Sequence, residues 1–308
     1  MYGSPVILPI GNSVCQRCVI STGRGAKDDL SEMSRTSAEQ VVADTVRAAQ
    51  TVLGDEIAAI YTLGSLAHGG FAPLVSDVDV AIVLTATAGD TAARIAEVKR
   101  RVVARASSPL ANRLSLFWGD WPAVRTGTGA GPSRLNSVDR LDLLDSGQLL
   151  VGSDLREPSV RPTRHELVVM SADFILAKFS AEYLERLADV ESLLAGGVRA
   201  VTKAILFPVR FTYTARTGQI GLNDASAGWY AAEELPGSAL ALKALDWRNE
   251  DITDDELALR MLDADLATIH AECVAEYARE LDALGETRRA TVMTERAALI
   301  HVPAPDAR

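Results

Sequence analysis

Apolar positions first recur at helical spacing over residues 37–53, at Val41, Val42, Thr45, Val46, Ala49, Val52 and Leu53. Ser34, Thr36 and Ser37 are candidate N-caps for this helix, and Glu39 and Gln40 supply its first turn. Residues 57–63 form a short, β-branched apolar run that reads as a strand. Asp77-Val-Asp-Val-Ala-Ile-Val-Leu84 starts as a polar/apolar alternation and ends fully apolar, which predicts a central strand whose first half lines a site. Residues 90–106 read as an amphipathic helix with a basic face at Lys99, Arg100, Arg101 and Arg105, and 113–118 as another strand. The Gly-rich run 126–133 lacks the Lys-Ser/Thr ending of a phosphate-binding P-loop and reads as a linker or lid. From about residue 165 the spacing is helical over 167–195, 198–216, 223–234, 238–247 and 254–284, with breaks at Gly196-Gly197, Gly218 and Pro236-Gly237. Thr253 followed by Asp254, Asp255 and Glu256 marks a helix start, negative charge lying at the positive end of the dipole. The pattern predicts a small mixed α/β domain over 34–160 and an all-helical domain over 161–290. Residues 1–33 and 291–308 are expected to be tails.

Composition narrows the class. The 308 residues are 48% hydrophobic and 23% charged, as in ordinary globular proteins. No apolar run reaches the roughly 18 residues of a membrane helix. The apolar piece at 6–10 is too short and broken for a signal-peptide core, so a cytoplasmic location without membrane association is expected. Three cysteines are too few for a disulfide scaffold, and the lone Cys15-x-x-Cys18 has no second ligand pair at zinc spacing. Met33 is a plausible true start. A net charge of −10 disfavours a long nucleic acid as partner. The charge is uneven: residues 1–157 hold 15 basic and 17 acidic residues, and 158–308 hold 16 and 24. The bland meaning is a set of solvated acidic helices; the sharper one is a surface that attracts a cationic small molecule.

The chemistry concentrates in residues 61–80. One strand ends in Gly64-Ser65, and a second opens with Asp77-x-Asp79. Alternation along a strand puts both carboxylates on one face, about 7 Å apart along the backbone, where together they can hold a hard divalent cation. Gly64 lets the backbone approach a phosphate, Ser65 adds a hydroxyl donor, and a helix starting there aims its first amides at the same group. These parts would position a nucleoside triphosphate for in-line attack.

This segment resembles the nucleotidyltransferase superfamily typified by DNA polymerase beta. Gly69-Gly70 ahead of Pro73-x-x-Ser76-Asp77-x-Asp79 is closest to the streptomycin/spectinomycin-type aminoglycoside nucleotidyltransferases, as are Arg210, Tyr213, Thr217-Gly218, Asp224, Trp229 and Leu235-Pro236. The resemblance spans about residues 37–285. It implies an α+β fold: a mixed sheet with flanking helices followed by a helical domain, with the active site between them. It also implies transfer of AMP from ATP to a hydroxyl of a small, cationic acceptor such as an aminoglycoside, with Mg²⁺ as cofactor. Gly64, Ser65, His68 and Asn223 would meet the nucleotide, Asp77 and Asp79 the Mg²⁺, and Trp229 and Glu233 the acceptor. The family's third carboxylate is absent from its strand, where Arg113 or Ser115 stands, and neither can act as a base. Asp120 is the nearest acid and the first candidate, with Asp142, Asp145 and Glu166 as further options. Asn223 stands where the family carries Lys, and Ala195-Gly-Gly-Val-Arg199 offers no acid matching the acidic substrate contacts that relatives place near there. Two other functions stay open: transfer to RNA or protein, which would use the basic face at 99–105, and a catalytically degenerate nucleotide-binding protein.

Overall fold

The computed structural model describes residues 24–300, and side chains from residue 35 onward. Strand β1 (Ile57–Leu63) pairs antiparallel with β2 (Val78–Leu84), in a register that sets Leu63 opposite Asp79. β2 runs parallel to β3 (Leu114–Asp120), with Asp79 beside Ser115. β4 (Gln148–Gly152) closes the other edge antiparallel to β1, so the order is β3-β2-β1-β4. The sheet is mixed, as the sequence implied.

Strand alternation divides the sheet's two faces. Val78, Val80, Ile82 and Leu84 pack with Ile60 and Leu116 under α1 (Arg24–Leu53) and α3 (Thr91–Arg105). Ala81 and Val83 point the other way, with Ala59, Tyr61 and Leu63, against α4 (Trp121–Thr126) and α5 (Ser137–Ser146). Asp77 and Asp79 have the parity of Ala81 and Val83, so they share the α5 side. Between β1 and β2 the chain makes one short helix, α2 (Gly64–His68), closed by Gly69 in the left-handed region.

The rest is helical: α6 (Arg164–Lys178), α7 (Ala181–Ala188), α8 (Val190–Ala195), α9 (Val198–Thr217), α10 (Asn223–Ala232), α11 (Ser238–Glu250), α12 (Asp255–Ala283) and α13 (Thr287–Ala297). The core centres on α9 and α12, through fully buried Val201, Ile205 and Val209 against Leu262, Ile269 and Tyr277. No helix among the described residues is long and apolar enough to cross a membrane.

Several expected boundaries move. The expected tail 1–33 overlaps α1, which already begins at Arg24; Cys15 and Cys18 lie outside the described residues. The expected C-terminal tail overlaps α13, whose Met293 is fully buried against the helical core. The single helix expected over 167–195 is three, because Ser180 and Asp189 cap new helices by accepting hydrogen bonds from the amides of Tyr183 and Ser192.

Candidate functional site

A cleft of about 450 Å³ opens between the α5 side of the sheet and the face of the helical region formed by α6, α9, the start of α10 and Arg248 of α11. That volume suits a small-molecule site. Gly64, Ser65, His68, Asp77, Asp79 and Asn223 all line it, so six of the predicted site residues converge.

Gly64 sits at φ +62, in the left-handed region, and a β-carbon there would lie 2.5 Å from Asp79 Oδ2. Only glycine lets the end of β1 approach Asp79 this closely. The Gly64 amide donates to Asp142 Oδ2 at 2.8 Å, which ties the turn to α5. His68, at the end of α2, is held below the ordinary histidine range by burial, only partly offset by Asp142.

Asp77, just before β2, and Asp79, within it, differ in electrostatics. Asp77 accepts from Arg199 Nη2 and from Lys203 Nζ, both at 2.5 Å. Burial pushes its pKa up, but the bonds and charges of Lys203 and Arg199 outweigh it, and Asp77 is held below the ordinary range. Asp79 is pushed up to about 7 by burial and by the charges of Asp77 and Asp142, against a stabilising hydrogen bond from Ser115. Arg113, just before β3, donates to Pro73 O at 2.9 Å. It pins the loop leading into Asp77, which is a positioning task and not proton chemistry.

Two further acids of the cleft come from α5. Asp139 and Asp142 stand three residues apart on one face of that helix and both line the cleft. Asp139 is pushed up to about 7 by burial and by the charges of Asp142 and Asp79. Asp142 was a candidate from sequence, whereas Asp139 was missed. The available signal was Asn136, whose side chain caps α5 by accepting from the Val138 and Asp139 amides.

Other expectations are corrected. Asp120 is 2% exposed and absent from the cleft lining. Its oxygens accept from the amides of Ala123 (2.9 Å) and Ala130 (3.1 Å), so it caps α4 and fixes the Gly-rich loop. Asp145 pairs with Arg161, and Glu166 forms a capping box with Thr163 at the start of α6. Trp229 packs edge-on to Tyr213 under the Arg216 guanidinium, and Glu233 lies 3.8 Å from Arg216. Neither lines the cleft. The net negative charge of the C-terminal half does not reach the cleft either. Its acids all come from the sheet side, and the helical wall contributes Lys178, Lys203, Arg210 and Arg248.

Two strand carboxylates on one face fit a divalent cation. Asp79 is pushed up first by burial and then by the charges of Asp77 and Asp142, and a cation beside it would offset that neighbouring charge. No group of three or more His, Cys, Asp or Glu is arranged to hold a metal among the described residues. The two carboxylates alone would leave the remaining ligands of such a cation to phosphate and water.

No family model and no curated protein matches the sequence. Among solved structures, the chain is similar to the spectinomycin adenyltransferase AAD(9) from Enterococcus faecialis, crystallised with ATP and spectinomycin. The match has a TM-score of 0.47 at 16% identity and covers 73% of this chain and 97% of that one.

Proposed function

We propose that this protein transfers a nucleoside monophosphate from a nucleoside triphosphate, ATP by the sequence resemblance, to a hydroxyl of a small acceptor bound in the cleft. The carrying observation is the packing of the Gly64 turn directly on Asp79, with Asp77 beside it and Lys203 and Arg210 facing both from α9. A turn with a free backbone approach, paired carboxylates and opposed cations is the donor set for a metal-bound polyphosphate. Asp77 and Asp79 would hold Mg²⁺, which when bound offsets charge on the phosphates. Lys203 and Arg199, now neutralised by Asp77, supply positive charge next to that position.

In the reaction the acceptor oxygen attacks the α-phosphorus. The new O–P bond forms as the bond between the α-phosphorus and the α–β bridging oxygen breaks, and pyrophosphate leaves with that electron pair. The acceptor's proton needs a base. Asp139, near pH 7 and in the cleft, is matched to that task, because a base works best with a pKa close to the working pH. Asp120 is not, since two backbone amides hold its carboxylate away from the cleft.

Transfer to RNA is disfavoured by geometry. The basic residues of α3 lie on a helix that packs through Val98 and Val102 on the sheet face opposite Asp79, and Arg100 and Arg101 both pair with Glu97.

The test is thermal stabilisation by ATP with and without Mg²⁺. At 100 times Kd a ligand adds about 2.7 kcal/mol. Asp77→Asn and Asp79→Asn should each abolish the Mg²⁺-dependent part while the fold persists. A wild-type response in both variants would refute the site.

A further inference from the structure

The cleft wall outside the carboxylates is built for something other than a polycation. Met170, Phe174 and Lys178 from α6 and Phe207 and Phe211 from α9 line it together. Phe174 is 51% exposed, an unusual state for so large an apolar ring. It stacks on Phe211 at 5.6 Å between centroids and 23° between planes, and Phe207 supports both rings at 5.8 and 4.5 Å. The three rings form a braced platform whose outer member faces open space in the cleft. Lys178 lies over the Phe207 ring, its ammonium 5.1 Å from that ring's centre and 4.6 Å from the centre of the Tyr183 ring. No carboxylate pairs with Lys178 among the described residues, and the charges it feels are those of Arg186 and Lys203, which repel it. Burial and these like charges hold its ammonium below the ordinary lysine range. A cation with aromatic but no carboxylate neighbours, set beside an exposed aromatic platform, is complementary to a flat ring bearing a negative group.

On the reading that the cleft transfers a nucleotidyl group, we infer that its acceptor is a small aromatic hydroxy acid, with the ring on Phe174 and the anionic group on Lys178. The hydroxyl at the far end of the ring then points toward the carboxylate side of the cleft. There its oxygen forms the new bond to the α-phosphorus, its proton passes to Asp139, and pyrophosphate leaves. The same charge pattern disfavours aminoglycosides, whose ammonium groups would meet Lys178 and Lys203 on this wall.

A matched pair of probes isolates the charge: 4-hydroxyphenylacetate and tyramine share the ring and the hydroxyl but carry opposite charges. Calorimetric titration of the full chain with each, in the presence of Mg²⁺ and a non-hydrolysable ATP analogue, should show the acid binding about tenfold tighter or more. Lys178→Glu should reverse that order. Phe174→Ala, at a half-exposed ring, should weaken the acid about three- to tenfold and leave Mg²⁺–ATP binding unchanged. Equal or tighter binding of tyramine to the wild-type chain, or binding of neither probe, overturns the inference. So does a Phe174→Ala variant that loses affinity for ATP and not for the acid, because the platform would then seat the nucleotide base. Pyrophosphate release is read separately. The expected binding order without release supports the acceptor class and counts against nucleotidyl transfer alone.

Discussion

Replacing Gly64 by Ala separates backbone cost from site chemistry. At φ +62 a β-carbon costs about 1–2 kcal/mol from the left-handed backbone alone. The same atom would fall 2.5 Å from Asp79 Oδ2, closer than any real contact, so the Asp79 side chain must swing away. Gly69 supplies the control: it is also left-handed, at φ +86, but a β-carbon there meets nothing within 4 Å. Gly69→Ala should therefore lower the melting temperature by a few degrees, at roughly 2–4 °C per kcal/mol, and keep the full response to Mg²⁺–ATP. In wild type that response should be roughly 5–10 °C at 100 times Kd. Gly64→Ala should lose at least as much stability as Gly69→Ala and lose the nucleotide response with it. In the double variant Gly64→Ala/Asp79→Ala the collision is gone, so stability should return to about the Gly69→Ala level while nucleotide binding stays absent. Melting curves of the four proteins with and without Mg²⁺–ATP decide the matter. A normal nucleotide response in Gly64→Ala would refute the packing of this turn on Asp79 as the basis of the site.

Three further outcomes follow from the same geometry. Asp139→Asn should lower turnover by about 10²–10⁴-fold with nucleotide stabilisation intact, measured as pyrophosphate release under saturating substrates; unchanged turnover would remove Asp139 as the base. Asp120→Ala should cost about 1 kcal/mol through loss of the α4 cap and leave nucleotide binding unaltered, read from paired melting curves. His270 is fully buried, its Nε2 2.9 Å from Ala204 O, and burial holds it down to about 3. The unfolded chain takes up a proton there near pH 6.5 that the folded chain refuses until about 3. Stability from this group is thus whole above 6.5 and falls as the pH drops through that window, with a slope near 1.4 kcal/mol per unit. His270→Gln should flatten that part of a stability–pH curve, and an unchanged curve would show that His270 does not contribute to it.

The long elements were legible because one period dominates each of them. Helix α12, read as 254–284 and observed as Asp255–Ala283, buries a continuous stripe from Ala258 to Leu281. Strand β2 announced itself by alternation, and the same alternation correctly placed Asp77 and Asp79 on one face. Helix α5 was invisible for a physical reason. Arg140, a residue that reads as surface, is 2% exposed and donates to the carbonyls of Val124, Arg125 and Val160. A buried arginine breaks the apolar period just where the helix turns inward, and the two acids beside it then look like ordinary solvent-facing charge.

Partners that touch across the cleft are the part no local pattern encodes. Asp77 and Arg199 are 122 positions apart, and Asp77 and Lys203 are 126 apart. Their pairing depends on how α9 is set against the sheet, which spacing along the chain does not reveal. The same limit explains the misplaced acceptor residues. Trp229 lies in the helix that starts at Asn223, Glu233 caps that helix's C-terminal end, and Asn223 does line the cleft. A helix advances about 1.5 Å per residue, so six residues carry the chain about 9 Å onward. By Trp229 the side chain lies over Tyr213 and Arg216 instead. Charge summed over half a chain misleads in a related way. The acidic surplus after residue 157 is spent partly on intrahelical and interhelical pairs, such as Glu276 with both Arg216 and Arg279. What a ligand meets is the local set, in which four aspartates on the sheet side face two lysines and two arginines on the helical side. That opposition suits a polyphosphate bridged by a cation at one end of the cleft and, beside Lys178 and Phe174, an acceptor whose charge is negative.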